Sequence, residues 1–219
     1  MATVLFVSPH QDDETLSMGA SIRKHIEAGH DVHVLLLTNG VNSGARAKTG
    51  LDRPRFTAAR DDEFARACRS LGVPFSNVHV SRHSTSDGGV TVQSVDDAVR
   101  EFLNGRSDVW LKTYTNLNWS GRHADHQLSG QAAVSLLSSG VVTNLRLYVE
   151  PWMLAAFKAA NPGVAVSAER PTNLAAVRSA LDDYKEADHP GGRWGIGYLS
   201  VPAAFDTLYA DPVSYYHVP

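Results

Sequence analysis

Five short apolar runs alternate with helical patterns along the first two thirds of the chain, and this alternation limits the fold more than any other feature. Residues 3–7, 32–38, 77–81, 108–114 and 144–150 read as strands rich in Val, Leu and aromatic residues. The run at 3–7 has no polar alternation, as expected for a strand covered on both faces. Between the strands, 15–28 places Leu16, Met18, Ile22 and Ile26 on one helical face before Gly29. Phe64, Ala67, Cys68 and Leu71 follow a 3.6-residue period before Gly72, and Val95, Ala98, Val99 and Phe102 do so behind an expected N-cap at Ser94. Helices are also expected at 125–138, 151–160 and 172–187. The pattern predicts an α/β protein, a Rossmann-like three-layer sandwich with a mainly parallel central sheet and right-handed crossovers. A chain of 219 residues holds one sizeable core. A single domain over 1–219 is therefore expected, with its core in 1–150; residues 151–219 add helices and a Gly-, Pro- and aromatic-rich segment, 188–219, that wraps the surface.

Composition narrows the classes of function. No apolar run approaches bilayer length, so membrane insertion is not expected. The net charge is −3 and the twenty basic residues are scattered, which argues against a nucleic-acid partner. The start, MATVLFVSPH, lacks a basic stretch followed by a signal-type apolar run, and the single cysteine, Cys68, fits a reducing compartment; a cytoplasmic location is expected. Homo-oligomer formation is left open.

The strand ends carry the chemistry. VLFVSPHQDDETL places His10, Asp12, Asp13 and Glu14 at the tip of the first strand, and DVWLKTY leads into TNLNWSGRHADHQ, with His123, Asp125 and His126 at the tip of the fourth. In a doubly wound sheet of order 3-2-1-4 these tips are neighbours, and ligands bind where their carboxyl ends diverge. Residues three apart on a helical turn share a face, so His10 pairs with Asp13 and His123 with His126. Two imidazoles and one carboxylate, for instance His10, Asp13 and His126, make a three-ligand site that leaves a fourth position to water, the arrangement of catalytic zinc. Asp12 is then free to act as general base, and His123 as acid or oxyanion stabiliser with Asp125 orienting its ring. Carboxylates after a strand also serve simply as helix N-terminal residues. Two such clusters at adjacent strand tips favour a metal site.

These segments also carry a resemblance. VSPHQDDETL, LLLTNG, an Arg-containing helix ending in LGV, and HADH together resemble the PIG-L/LmbE family of zinc-dependent deacetylases over about the first 140 residues. The family's first motif is typically PHPDDE or AHPDDE and its second HPDH. The resemblance implies a Rossmann-like fold and hydrolysis of the N-acetyl group of an N-acetylglucosamine-type sugar or conjugate. It places a metal on His10, Asp13 and His126, with Asp12 as base and His123 stabilising the transition state or protonating the leaving group. Zinc is the expected ion, and iron or cobalt suit the same ligands. Gln11 and Ala124 stand where the motifs carry proline, which touches loop rigidity only. The tyrosine that some members place before the second motif is missing from Trp119–Arg122.

Arg60 continues the apolar stripe of its helix, and so either pairs with Glu63 or, as the resemblance implies, binds sugar hydroxyls; Asp87, in the SDGG turn, could accept from the same hydroxyls. Trp119, Trp194, Lys185 and His189 are read first as packing or surface residues, with a sugar-binding mouth as the alternative. The histidines at 25, 30, 33, 79, 83 and 217 lack ligand spacing. Two other functions stay in view: a non-haem Fe(II) oxygenase, which also uses two histidines and a carboxylate, and a non-catalytic sugar-binding module.

Overall fold

The central apolar runs form strands whose side chains meet a helical layer on both faces, whereas the run at 77–81 forms an edge strand that leaves Val80 54% exposed. In the computed structural model, which describes residues 1–219 apart from the side chains of Arg82, His83 and Ser84, these strands are β1 (Thr3–Ser8), β2 (Asp31–Thr38), β3 (Val78–Thr85), β4 (Trp110–Tyr114) and β5 (Asn144–Val149). The expected reading of His83 lies outside the described residues. Strand β3 runs on to Thr85, past an irregularity after which Thr38 pairs with Thr85.

The helices are α1 (Asp13–Leu16), α2 (Gly19–Glu27), α3 (Arg46–Thr49), α4 (Arg53–Leu71), α5 (Val92–Leu103), α6 (Ala124–Ser138), α7 (Leu154–Ala160), α8 (Leu174–Asp183), α9 (Ile196–Ser200) and α10 (Pro202–Ala210). Four short strands complete the chain: β6 (Ser167–Glu169), β7 (Ala187–Asp188), β8 (Arg193–Trp194) and β9 (Ser214–His217). The main sheet has seven strands in the order β3-β2-β1-β4-β5-β9-β6, and its first five are parallel.

Alternation along β1 divides the core. Val4 and Phe6 pack with Ile22, Phe64, Cys68 and Val177 from α2, α4 and α8. Leu5 and Val7 point the other way, onto Val95, Val99, Ala133 and Leu136 from α5 and α6. All four β1 residues are fully buried, each burial stabilising the fold by roughly 1.5–3 kcal/mol. Cys68 is likewise buried, as a small apolar residue of the core.

Three expectations are corrected. The helix expected over 15–28 is two helices, broken at Ser17 and Met18, where the Ser17 hydroxyl shares a 2.7 Å hydrogen bond with the Tyr114 hydroxyl. The N-cap of α5 is Thr91; its hydroxyl accepts from Ser94 N, and Ser94 Oγ accepts from Thr91 N, each at 3.0 Å. The C-terminal segment does more than wrap the surface, since β9 inserts antiparallel between β5 and β6 with Tyr216 opposite Tyr148. Among the described residues, no helix is long and apolar enough to cross a membrane.

Candidate active site

Strand order brings the two polar clusters together. Strands β1 and β4 are neighbours, with Phe6 opposite Lys112, so the loop after β1 and the start of α6 meet at the carboxyl edge. Helix α6 sits so close to the end of β4 that a Cβ on Gly130 would collide with the backbone of Thr115 and Asn116. The first turn of α6 therefore lies over the switch point.

After β1 the chain turns sharply, with Asp12 in the left-handed region at φ 104°. Gln11, where the family motif has proline, is fully buried and donates from Nε2 to Asp61 Oδ1 at 2.8 Å. Its amide fills the space beside Gly40, where a Cβ would lie 2.5 Å from Gln11 Oε1. A hydrogen-bonded side chain thus supplies the rigidity of the ring it replaces.

Three donor atoms converge. Asp13 Oδ2 lies 3.1 Å from His10 Nδ1 and 3.1 Å from His126 Nε2, and those two nitrogens are 3.3 Å apart. Ligands about 2.0–2.1 Å from a tetrahedral ion stand about 3.3–3.4 Å from one another, so the triangle has the edge lengths of a zinc-type site. His123 stands close by, and one nitrogen each of His10, His123 and His126 fall within 4.8 Å of one another.

A partner behind the triangle fixes each of the three. His10 Nε2 donates to Asp125 Oδ2 at 2.9 Å, leaving Nδ1 for the centre. His126 Nδ1 donates to Glu150 Oε1 at 2.7 Å, leaving Nε2. The Tyr114 hydroxyl donates to Asp13 Oδ1 at 2.8 Å, and its ring stacks on His126 with centroids 3.8 Å apart. Burial, reinforced by the Asp13 charge, holds the Tyr114 phenol well above its ordinary range, so it remains a donor. Asp125 was expected to orient His123. It does so through its backbone, whose N–H donates to His123 Nδ1 at 3.2 Å, while its carboxylate holds His10 and accepts from Gly88 N at 2.7 Å. The cause is local: His123 is the N-cap of α6, so its ring turns back onto the helix.

The charges follow from this packing. Burial alone would lower His10, but its hydrogen bonds to Asp125 and Asp13 push it up to about 10. Burial alone would lower His126, but the Asp13 charge together with its hydrogen bonds to Asp13 and Glu150 raises it to about 9. Asp13 falls well below the carboxylate range because His126 and His10 overcome its burial. Burial lifts Asp12 to about 6 against the opposing charge of Arg60. His123 is lowered by burial and by the neighbouring His10 and His126.

A cleft of about 320 Å³ is lined by His10, Asp12, Asp13, Arg60, Asp87, His123 and His126. Arg60 is 2% exposed, and its Nη1 and Nη2 each donate to Asp12 Oδ2 at 3.2 Å, Nη2 donating also to Gln11 O. It thus grips Asp12 rather than Glu63, whose carboxylate accepts from Ile196 N and Gly197 N at 2.6 and 3.1 Å. Asp87 reaches the cleft while accepting from Thr38 Oγ1 at 3.3 Å. Trp119 packs on Phe157 in the core, and Trp194, Lys185 and His189 line a separate cavity. Sequence reasoning missed Tyr114, Glu150 and Trp152. The first two end or follow apolar strands, the same signal that marked His10; Trp152, 36% exposed on the cleft, stands two residues after Glu150.

Topology and cleft together define a doubly wound α/β protein whose functional centre, built of histidines and carboxylates, sits at the switch point. The chain belongs to the PIG-L family: the family model described as GlcNAc-PI de-N-acetylase matches residues 5–137. No curated protein matches the chain. Similar solved structures include teicoplanin deacetylase Orf2 in a zinc inhibited form, at 18% identity and TM-score 0.64, covering 99% of this chain and 98% of that one. N,N'-diacetylchitobiose deacetylase from Pyrococcus horikoshii is 18% identical with TM-score 0.57, over 98% of this chain and 81% of that one. GalB, the 4-carboxy-2-hydroxymuconate hydratase from Pseudomonas putida KT2440, is 16% identical with TM-score 0.60, over 99% and 95%. At these identities the likeness is one of fold.

Proposed function

We propose that the protein is a metal-dependent hydrolase that removes the N-acetyl group from an N-acetylglucosamine-type sugar or conjugate. The observation that carries this is the triangle of His10 Nδ1, Asp13 Oδ2 and His126 Nε2, with sides of 3.1, 3.1 and 3.3 Å, beside a carboxylate outside the triangle, Asp12. A zinc, iron or cobalt ion held by those three atoms supplies Lewis acidity, which polarises a carbonyl and brings the pKa of water to roughly 7.

The remaining chemistry belongs to the chain. Both Arg60 bonds fall on Asp12 Oδ2, leaving Oδ1 to take a proton from the attacking water. The Nδ1 of His123 accepts from the Asp125 backbone, which selects the Nε2–H tautomer. Held neutral, the imidazole presents that N–H to the cleft, where it stabilises the developing oxyanion in place of the family tyrosine. The Asp12 proton then passes to the departing nitrogen as the C–N bond breaks, giving acetate and a free amine. Asp87 and the exposed face of Trp152 provide a hydrogen-bond acceptor and a stacking surface for the sugar.

The test is an amine-release screen of the purified protein over N-acetylated sugars, with and without chelator. Stoichiometric acetate and amine, lost with the metal, support the reading. Sugar binding without acetate release would favour a binding module, and oxygen consumption with ferrous iron would favour an oxygenase.

A further inference from the structure

The peptide that joins Gln11 to Asp12 is held at both ends. Its carbonyl, Gln11 O, accepts from Arg60 Nη2, and its N–H, on Asp12, donates to Glu14 Oε2 at 3.1 Å. The φ of Asp12, 104°, lies in the left-handed region, which a residue with a side chain keeps only where its surroundings impose it. Asp12 opens α1 with its backbone alone. Its carbonyl accepts from Thr15 N at 3.1 Å and Leu16 N at 2.8 Å, while its carboxylate makes no cap bond and stays with Arg60 in the cleft.

Glu14 is anchored in turn from far along the chain. Its Oε1 accepts from Thr15 Oγ1 at 2.5 Å and from the Tyr184 hydroxyl at 2.8 Å. Thr15 belongs to the same turn as Glu14, so Tyr184 is the hydrogen-bond partner, among the described residues, that ties this carboxyl group to the rest of the molecule. Both side chains are fully buried, and water cannot take the place of either. Tyr184 is the C-cap residue of α8, and later elements fix its ring. It packs on Phe205 of α10 with centroids 5.6 Å apart, its carbonyl accepts from Tyr198 N of α9 at 3.2 Å, and a Cβ on Gly197 would lie 2.6 Å from its Cδ1. A line of contacts therefore runs from α9 and α10 through Tyr184 and Glu14 to the backbone of Asp12. Tyr184 lies outside residues 5–137, the part that the family model matches.

We propose that Tyr184 is a positioning residue for the reaction: through Glu14 it fixes the Asp12 backbone, and so sets where Asp12 Oδ1 stands against the attacking water. This rests on the reading of Asp12 as the base of a deacetylase. Arg60 grips Oδ2 and the carbonyl behind Asp12, so a turn of the 11–12 peptide swings Oδ1 while Oδ2 stays held. A misplacement of about 1 Å in a reacting group is enough to cost about 10²-fold in rate. The described lining of the cleft includes neither Glu14 nor Tyr184, so the effect falls on kcat rather than on sugar binding.

The test removes one hydroxyl. Tyr184→Phe keeps the packed ring, and the zinc-loaded variant is expected to lose about tenfold or more in kcat for acetate release from N-acetylglucosaminides, with KM within about twofold and zinc content unchanged. Tyr148→Phe is the control, because its equally buried hydroxyl bonds to Ser21 Oγ at 2.6 Å and Glu169 Oε2 at 3.3 Å, away from the cleft; it should keep the wild-type kcat. Glu14→Met cuts the link itself, and adding Tyr184→Phe to it should lower kcat no further. Amide hydrogen exchange at Asp12 N, followed by NMR on the zinc-loaded full chain, reads the clamp without turnover. It is expected to be about tenfold or more faster in Tyr184→Phe and unchanged in Tyr148→Phe. Faster exchange at Asp12 in a protein whose wild type deacetylates no sugar supports the clamp and overturns the reading of the reaction. Wild-type kcat in Tyr184→Phe, an equal loss in Tyr148→Phe, a further loss in the double variant, or unmoved exchange at Asp12 overturns the positioning role and leaves the deacetylase reading intact.

Discussion

Asp12 is held between burial, which raises it to about 6, and the Arg60 guanidinium, which opposes that rise. A base must be ionised to act, so kcat/KM is expected to fall as pH drops through about 6. Asp12→Asn should lower kcat by about 10²–10⁴ and leave the metal content unchanged, as read by elemental analysis. Without an ion, His10 and His126 hold their protons to about 10 and 9, and binding must displace them. Calorimetry in buffers of different ionisation heat should therefore record about two protons released per zinc at pH 7, with affinity rising with pH. Glu150→Gln weakens the anchor of His126 and should reduce zinc affinity about 10–100-fold in chelator competition. At this scale the clustering was legible because His10 and Asp13, like His123 and His126, are three residues apart on local turns. Their supports were not: Tyr114 and Glu150 reach them across strands, through a register that spacing does not encode. The tie of the Asp125 carboxylate to His10 was hidden for the same reason, since that partner is 115 residues away.

Elements were legible where a period repeats and illegible where a single side chain decides. The apolar stripe of α4 appears in Phe64, Ala67, Cys68 and Leu71, all buried. The break between α1 and α2 turns on Ser17, whose tie to Tyr114 no helical pattern reveals. Strand β9 was missed because SYYH has no continuous apolar run, and its place between β5 and β6 comes from pairing rather than hydropathy. The junction of α4 with α9 depends on Glu63, which burial raises to about 7 although Arg60 and two backbone N–H groups favour its charged form. The native state then keeps a proton that the unfolded chain releases above 4.5, so this contribution to stability declines as pH rises from about 4.5 to about 7. Glu63→Gln cannot ionise. Denaturation midpoints should show the variant gaining on the wild type across that interval, and a variant that loses ground would contradict the assignment.

For the molecule as a whole, the alternation of strands and helices implied the β3-β2-β1-β4 order, and that order alone places residues 10–13 beside 123–126. The cleft is thus a consequence of topology. What the alternation did not contain is the C-terminal contribution, in which α9 supplies the far wall of the cleft. The account stands on His10, Asp13 and His126 gripping one ion, with His123 free for the oxyanion. X-ray absorption of the zinc-loaded protein, compared with its His123→Ala and Asp13→Ala variants, tests this most directly. The expected result is a first shell with two imidazoles and carboxylate oxygen, unchanged by His123→Ala and disrupted by Asp13→Ala; a three-imidazole shell that loses a ring in His123→Ala would contradict it.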